Sequence, residues 1–393
     1  MDVSDEQKAV RELVREFARE EIRPVAAEAD ARGQFPEAVW DGMADLGLTG
    51  LTVPETYGGF ETDPLTAALV YEEVAAGSLA VATALSVHCL ATSAIAAFGS
   101  DSQCERLLPE MAAGRPVGAF ALSEPHAGSN PAELSTQARP LETADGTVEG
   151  YVLDGEKQWI TNGERAGVIV LFAKTDRTDP ETITQFLVPA DADGLTVGEP
   201  EDKLGLRASD TTALSFDGVE IPAENRLTPV GEGLSAAFHI LTDGRLGIAA
   251  QSVGLARHAL EETLSYTQER TQFGKPLAEI QTVGHRLAEM ATRVETARQL
   301  THRAARVRAR GDSGDHRESA TLASMAKYTA SEAAMAVTND AVQLHGGYGY
   351  VSEFDVERLY RDAKVTEIYE GTTEIQKTII AKQLLEGGVS LEP

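Results

Sequence analysis

The hydrophobic period of this chain changes twice, and those changes constrain its fold more than any other feature. Over roughly the first 115 residues, apolar side chains recur at helical spacing. Ser4 and Gln7 form a capping-box pattern, and Val10, Leu13, Val14 and Phe17 follow it. Pro24 predicts a kink or stop, Pro36 and the Pro54 to Gly59 cluster predict further breaks, and an Ala-rich core helix ends near Phe98. From Phe120 the pattern shortens to β-branched and aromatic runs. These are separated by Asp145-Gly146, Asp154-Gly155, Asn162-Gly163 and Asp217-Gly218, dipeptides suited to tight turns. Val168 to Ala173 and Ile183 to Val188 have strand length, Thr211 to Phe216 alternates, and Pro222 closes the region before Arg226. After Gly231 the helical period returns nearly to the end, with an Arg/Ala-rich stretch from Thr292 to Arg310 and a predicted loop at Gly311 to Asp315. A chain of 393 residues exceeds what one core usually holds. The order helix, sheet, helix therefore predicts an α+β multidomain protein, helical over residues 1–118, β over 119–228 and helical over 229–393.

Charge narrows the partners. With 34 Lys+Arg against 62 Asp+Glu the formal charge is -28, which disfavours nucleic acid and anionic membrane surfaces. Lysine is scarce, and the acidic excess is like that of proteins from salt-adapted organisms. Cys89 and Cys104 form neither a disulfide framework nor a metal spacing, so no metal is predicted and a reducing cytoplasm fits. Asp2, Asp5 and Glu6 stand where a secretory signal would be basic. Ala75 to Ser100 carries no formal charge and is long enough to span a bilayer. Its Ser78, Thr83, Ser86, His88, Thr92 and Ser93 would be costly in lipid, so it reads as a buried helix without membrane insertion.

Four segments combine Gly, Trp, Arg and acidic residues at offsets that packing alone would not demand. Phe120 to Asn130 contains Leu122, Ser123, Gly128 and Ser129, which permit close backbone approach and a hydroxyl hydrogen bond to a ligand; an ordinary turn loop is the plain alternative. In Lys157 to Gly163, Trp159 could cover a flat heteroaromatic ring and Thr161 could bond its edge. The third is Arg270 to Pro276. The fourth runs from Gln343 through Gly346, Gly347, Tyr348 and Gly349 to Ile368-Tyr369-Glu370-Gly371-Thr372. Gly347, Gly349 and Ser352 nearly fit GxGxxG, but they follow a helical pattern and the third Gly is absent, so that reading is rejected.

Together these segments resemble the acyl-CoA dehydrogenase family over essentially the whole chain. Ser123-Glu124 followed by Gly128-Ser129 resembles the family's flavin loop. Gln343, Gly346, Gly347, Gly349, Glu353, Arg358 and Asp362 match its second signature, and Lys203 to Arg207 with Pro222 to Asn225 resemble the end of its sheet domain. The resemblance implies an N-terminal helical domain, a middle β-barrel-like domain and a C-terminal four-helix bundle, assembled as a homotetramer with FAD between the middle and C-terminal domains. It implies α,β-dehydrogenation of an acyl-CoA to the trans-2-enoyl-CoA, as in fatty acid β-oxidation. Glu370 would remove the α-proton, flavin N5 would take the β-hydride, and electron-transferring flavoprotein would accept the electrons.

By the same resemblance Phe120, Leu122, Ser123, Ser129, Trp159 and Thr161 contact the flavin. Arg270, Gln272, Phe273 and Gln281 meet the FAD of a neighbouring subunit, Gln343, Gly346 and Gly347 its adenosine-diphosphate end, and Thr372 and Glu374 complete the site. Ser129, Arg245, Asp243, Tyr369 and Gly371 would face the substrate. Two departures stand out: Asn130 replaces the usual Asp of the flavin loop, and Thr242 replaces the Asp commonly found three residues before Arg245. Glu370 argues against the isovaleryl type, whose base lies on the helix of Arg245. Ala82, where glutaryl-CoA enzymes carry Arg, argues against a dicarboxylic chain. Short or medium straight chains and short branched chains remain open. The rival readings are an acyl-CoA oxidase, usually a longer chain, and a DNA-associated flavoprotein of the same fold, which the charge opposes.

Overall fold

The computed structural model describes residues 3–310 and 316–386, so the predicted loop at Gly311 to Asp315 lies outside the described residues. The N-terminal part holds six α-helices: α1 (Asp5–Phe17), α2 (Arg23–Arg32), α3 (Glu37–Asp45), α4 (Pro64–Gly77), α5 (Leu79–Phe98) and α6 (Asp101–Ala112). The predicted capping box is formed, with Ser4 and Gln7 exchanging hydrogen bonds of 3.1 Å. Pro24 does not stop the helix. A π-helical turn over Ala18–Ile22 carries α1 into α2 just before Pro24, and this wider turn lets the helix pass a residue that cannot donate a backbone hydrogen bond to the preceding turn.

The charge-free stretch departs from one continuous helix. It breaks at Ser78, whose extended backbone separates α4 from α5 and whose Oγ accepts from the Val81 N–H. Leu79–Phe98 is long and apolar enough to cross a membrane, yet most of it is buried inside protein. His88 shows why polar residues tolerate that interior. Its Nδ1 accepts from the Gly118 N–H at 3.0 Å and its Nε2 meets the Met111 carbonyl at 3.1 Å, tying α5 to α6 and to the first strand.

The middle part is a seven-stranded sheet of β1 (Val117–Ala121), β2 (Gln137–Glu142), β3 (Val148–Thr161), β4 (Ala166–Lys174), β5 (Ile183–Pro189), β6 (Leu195–Val197) and β7 (Thr211–Pro222). The order is β1-β4-β2-β3-β7-β6, with β5 on β4. Most pairs are antiparallel, but β1 runs parallel to β4. Strand β4 is apolar from Val168 to Ala173 because both faces are covered there. Ile169, Leu171 and Ala173 enter the core of the sheet, while Val168, Val170 and Phe172 pack toward α5 and α6. Asp145-Gly146 and Asn162-Gly163 lie in turns as predicted. Asp154-Gly155 and Asp217-Gly218 do not: β3 and β7 run straight through them and pair with each other. There Asp217 and Gly218 oppose Asp154 alone, a β-bulge with Gly218 at φ 65° whose N–H donates to Asp154 Oδ1 at 2.9 Å.

The C-terminal part consists of α7 (Gly233–Glu269), α8 (Gln281–Arg308), α9 (His316–His345), α10 (Asp355–Ala363) and α11 (Thr373–Leu385). Helices α7, α8 and α9 pack side by side, α11 lies on α9, and α4 packs on α7, joining the two helical regions. A small hairpin of β8 (Thr271–Gln272) and β9 (Lys275–Pro276) interrupts the helical period between α7 and α8.

Candidate active site

The loop between α10 and α11 carries Glu370 in a backbone conformation that few residues adopt. Glu370 has φ 54° and Gly371 φ 91°. A left-handed non-glycine residue costs free energy and persists only where its surroundings over-determine it. Here three hydrogen bonds from two side chains hold the loop. Lys327, on α9, donates from Nζ to the Gly371 carbonyl at 2.8 Å, and Gln376 Nε2 donates to the carbonyls of Gly371 at 2.9 Å and Glu370 at 3.2 Å. At the other end the Tyr369 hydroxyl lies 3.4 Å from Thr83 Oγ1 of α5.

The Glu370 carboxylate turns back onto α7. A Cβ on Gly244 would overlap its Oε2, so a glycine there lets carboxylate and helix backbone touch. Although the residue is partly accessible, Oε2 is buried with no hydrogen-bond partner among the described residues. Burial pushes the carboxyl up; the Arg245 and Lys327 charges pull it back only in part, leaving it at about 7. Arg245 is itself buried, with an unpartnered Nε. Gly244, Gly247 and Gln251 recur along one face of α7. The Tyr71 ring and Gln251 Nε2 stand 3.5 and 3.8 Å from where a Gly247 Cβ would be. Gln251 is fully buried, accepts from Thr83 Oγ1 at 3.2 Å, and leaves Nε2 without a partner among the described residues. Gly244 thus brings the carboxylate against α7, and one turn further along the Tyr71 ring and Gln251 stand over Gly247.

A second constellation joins the first two sequence segments. Glu124 is buried and accepts from the N–H and Oγ of Ser135 at 2.6 and 2.8 Å, the N–H and Oγ1 of Thr136 at 3.0 and 2.5 Å, and Lys157 Nζ at 2.8 Å. Burial alone would raise the Glu124 carboxyl, but the Lys157 charge and the hydroxyl and amide donors override it and hold the group at about 2. Lys157 is fully buried and drawn down to about 8, still an ammonium at neutral pH beside its carboxylate. It also donates to the Leu122 carbonyl at 3.2 Å, and the Gln158 N–H donates to the Ser123 carbonyl at 3.0 Å. One buried ion pair thus fastens the Phe120 to Asn130 loop to the strand end bearing Trp159. That tryptophan has φ 58° and is 55% exposed, its indole presented outward from strained backbone.

The third and fourth segments meet in a groove of about 540 Å³ lined by Arg270, Gln272, His345, Gly346, Gly347 and Tyr348 among others. Tyr266 stacks on His345 at 4.2 Å, and the Arg270 guanidinium lies 5.3 Å above the Tyr348 ring. Phe273, at the hairpin tip with φ 53°, is 92% exposed.

Family profiles cover nearly all of the chain: acyl-CoA dehydrogenase N-terminal domain over residues 4–115, middle domain over 119–219 and C-terminal domain over 231–385. An acyl-CoA dehydrogenase of Bacillus subtilis (strain 168) is 44% identical over 98% of this chain and 100% of its own length. The chain belongs to the acyl-CoA dehydrogenase family. The butyryl-CoA dehydrogenase of Megasphaera elsdenii superposes with a TM-score of 0.92 at 37% identity, over 98% of this chain and 99% of that one. An acyl-CoA dehydrogenase from Bacillus anthracis, solved complexed with FAD, superposes with a TM-score of 0.90 at 31% identity, over 99% of this chain and 69% of that one.

Within this acyl-CoA dehydrogenase fold the site residues named from sequence fall into three groups. Glu370, Gly371, Tyr369 and Arg245 gather beside α7, with Thr372 capping α11 through its Oγ1 and Glu374 exposed on the first turn. Phe120, Leu122, Ser123, Trp159 and Thr161 sit on the fastened loop and strand end, while Ser129 is exposed beyond them. Arg270, Gln272, Phe273, Gln281, Gln343, Gly346 and Gly347 are exposed on the single chain. Asp243 is engaged elsewhere: its carboxylate accepts from Arg308 Nε and Nη2 at 2.7 and 2.9 Å. Sequence reasoning gave no role to Lys327, Gln376, Gly244 or Gln251, nor to the pairing of Glu124 with Lys157. Lys327 left a signal, being a lysine among Leu322, Ala323, Ala326, Ala330 and Ala334, all buried on α9.

Proposed function

We propose that this protein is a flavin-dependent dehydrogenase that removes the α and β hydrogens of a short acyl-CoA thioester, with Glu370 as the α-base. The carrying observation is the Glu370 carboxylate, which has a sealed, unpartnered oxygen and sits at about 7, where it is available as a base near neutral pH. The α-proton passes to Glu370 as the thioester acquires enolate character. The Glu370 N–H, presented by its left-handed backbone, is the chain's own donor to the thioester carbonyl. A bound flavin supplies the acceptor for the β-hydride.

The residues fit FAD. Arg270 and the Gly346-Gly347 backbone offer charge and N–H groups to a pyrophosphate, and Trp159 offers an aromatic face. That so many of these residues are exposed on one chain supports completion of the site by a second copy, as in a tetramer. A short tail is supported by Tyr71 and Gln251 above Gly247 and by the similarity to a butyryl-CoA dehydrogenase. Electron-transferring flavoprotein as acceptor and a cytoplasmic location belong to the same reading.

Anaerobic titration with butyryl-, hexanoyl-, octanoyl-, isovaleryl- and glutaryl-CoA tests it. Butyryl-CoA should bleach the flavin most readily, Glu370→Gln should keep FAD but not bleach, and reoxidation in air should be slow. Bleaching by none of the panel overturns the reading; rapid reoxidation by oxygen replaces it with an oxidase.

A further inference from the structure

The fully buried Lys327 lies outside every motif that pointed to the site, yet its ammonium reaches the loop at the centre of it. An unpaired ammonium in protein interior is costly, and a lysine in an apolar helix face is kept only where something compensates its charge. The single hydrogen bond of Lys327 among the described residues goes to the Gly371 carbonyl, 2.8 Å away, and the carboxylate acting most strongly on it is that of Glu370. The side chain therefore meets the Glu370–Gly371 unit twice, by a directed bond to its backbone and by charge to its carboxylate.

Resting on the dehydrogenase reading, we infer that Lys327 is a positioning residue for the reaction. From α9 it clamps the left-handed Glu370–Gly371 segment at the Gly371 carbonyl so that the Glu370 N–H and carboxylate address the same substrate. Gln376 grips that Gly371 carbonyl and the Glu370 carbonyl as well, but as a neutral amide it fixes geometry alone. Lys327 adds charge. Within the site, Arg245 and Lys327 are the cations that oppose the effect of burial on Glu370. Without Lys327 the base loses one of the two charges favouring its ionised form, and the loop loses its tie to α9. Lys327→Met keeps the length and apolar stem while removing both effects; Gln376→Met removes only the neutral tie.

The test compares wild type, Lys327→Met, Lys327→Arg and Gln376→Met as FAD-loaded enzymes of matched flavin content and thermal midpoint. Stopped-flow reduction by butyryl-CoA is followed between pH 6 and 9. Lys327→Met should lower the limiting rate of flavin reduction about 10- to 100-fold while leaving acyl-CoA affinity within about threefold, the pattern of a misplaced group. The midpoint of its pH profile should rise by about one unit, as removal of a nearby opposite charge demands. Gln376→Met should slow reduction without moving that midpoint, and Lys327→Arg should restore the midpoint more than the rate.

An infrared titration of the Glu370 carboxyl band, identified by its absence in Glu370→Gln, gives a readout independent of turnover. The band should titrate higher in Lys327→Met than in wild type. An unmoved band and pH profile overturn the inference, as does a rate loss that follows flavin content or melting alone. If wild type reduces with no acyl-CoA, the dehydrogenase reading fails, and the infrared titration still decides whether Lys327 acts on Glu370.

Discussion

The Glu370 carboxylate rests against the α7 backbone at Gly244, where a Cβ would overlap its Oε2. That contact makes one methyl group decisive. Gly244→Ala should leave the helix intact, since Ala favours helix more than Gly does. The carboxylate should be displaced, slowing flavin reduction on the order of 10- to 100-fold with FAD retained. Stopped-flow reduction alongside circular dichroism checks this; an unchanged rate would show that the carboxylate is not held there.

Glu370 also sets a pH dependence. Only the ionised base removes a proton, so flavin reduction should rise with pH through a midpoint near 7. Stability runs the other way. A carboxyl raised in the folded state from 4.5 to about 7 stabilises the protein below its unfolded value, and that contribution is lost as pH rises through the folded one. Glu370→Gln should therefore melt higher than wild type above pH 7, by at most roughly 2 kcal/mol once partial solvent access is discounted. Urea unfolding at pH 5 and pH 8 gives the comparison, and a variant that gains nothing at pH 8 would count against a buried charge.

Glu124 and Lys157 should behave as a pair. Glu124→Gln strands a buried ammonium and should cost about 3–5 kcal/mol, while Glu124→Gln combined with Lys157→Met should recover part of that loss. The Glu124 carboxyl is depressed from 4.5 to about 2, so its stabilisation is present above 4.5 and lost as pH falls toward 2. Chemical denaturation of the singles and the double forms the cycle. Equal stability of all four proteins would leave the pair without energetic weight.

Arg270 is exposed at the groove, so Arg270→Gln should leave the melting of the cofactor-free chain unchanged. Loss of a charge-assisted contact to a phosphate should weaken FAD retention about tenfold or more. The flavin-to-protein absorbance ratio after gel filtration measures this, and full retention would place the pyrophosphate elsewhere.

Local chemistry was legible where neighbours in sequence decide it. Ser4 and Gln7 cap α1 as their spacing requires, and Asn162-Gly163 turns. The same kind of reading misjudged Asp154-Gly155 and Asp217-Gly218. A dipeptide that can turn can also bulge, and the choice falls to the partner strand, here each dipeptide's counterpart some sixty residues away. At Pro24 the sequence left a stop and a kink open, and the chain passes it through a π-helical turn without stopping.

What the sequence determined by itself is the order of the three regions and the family signatures, because period and motif are properties of contiguous residues. What only the tertiary structure decided is the setting of Glu370. Its left-handed backbone is held by Lys327, its carboxylate is admitted by Gly244, and Gln251 and Tyr71 stand over Gly247 one turn away. Each comes from a different helix or helix turn. Burial and the placing of charge depend on atoms brought together through space, and no spacing along the chain records them.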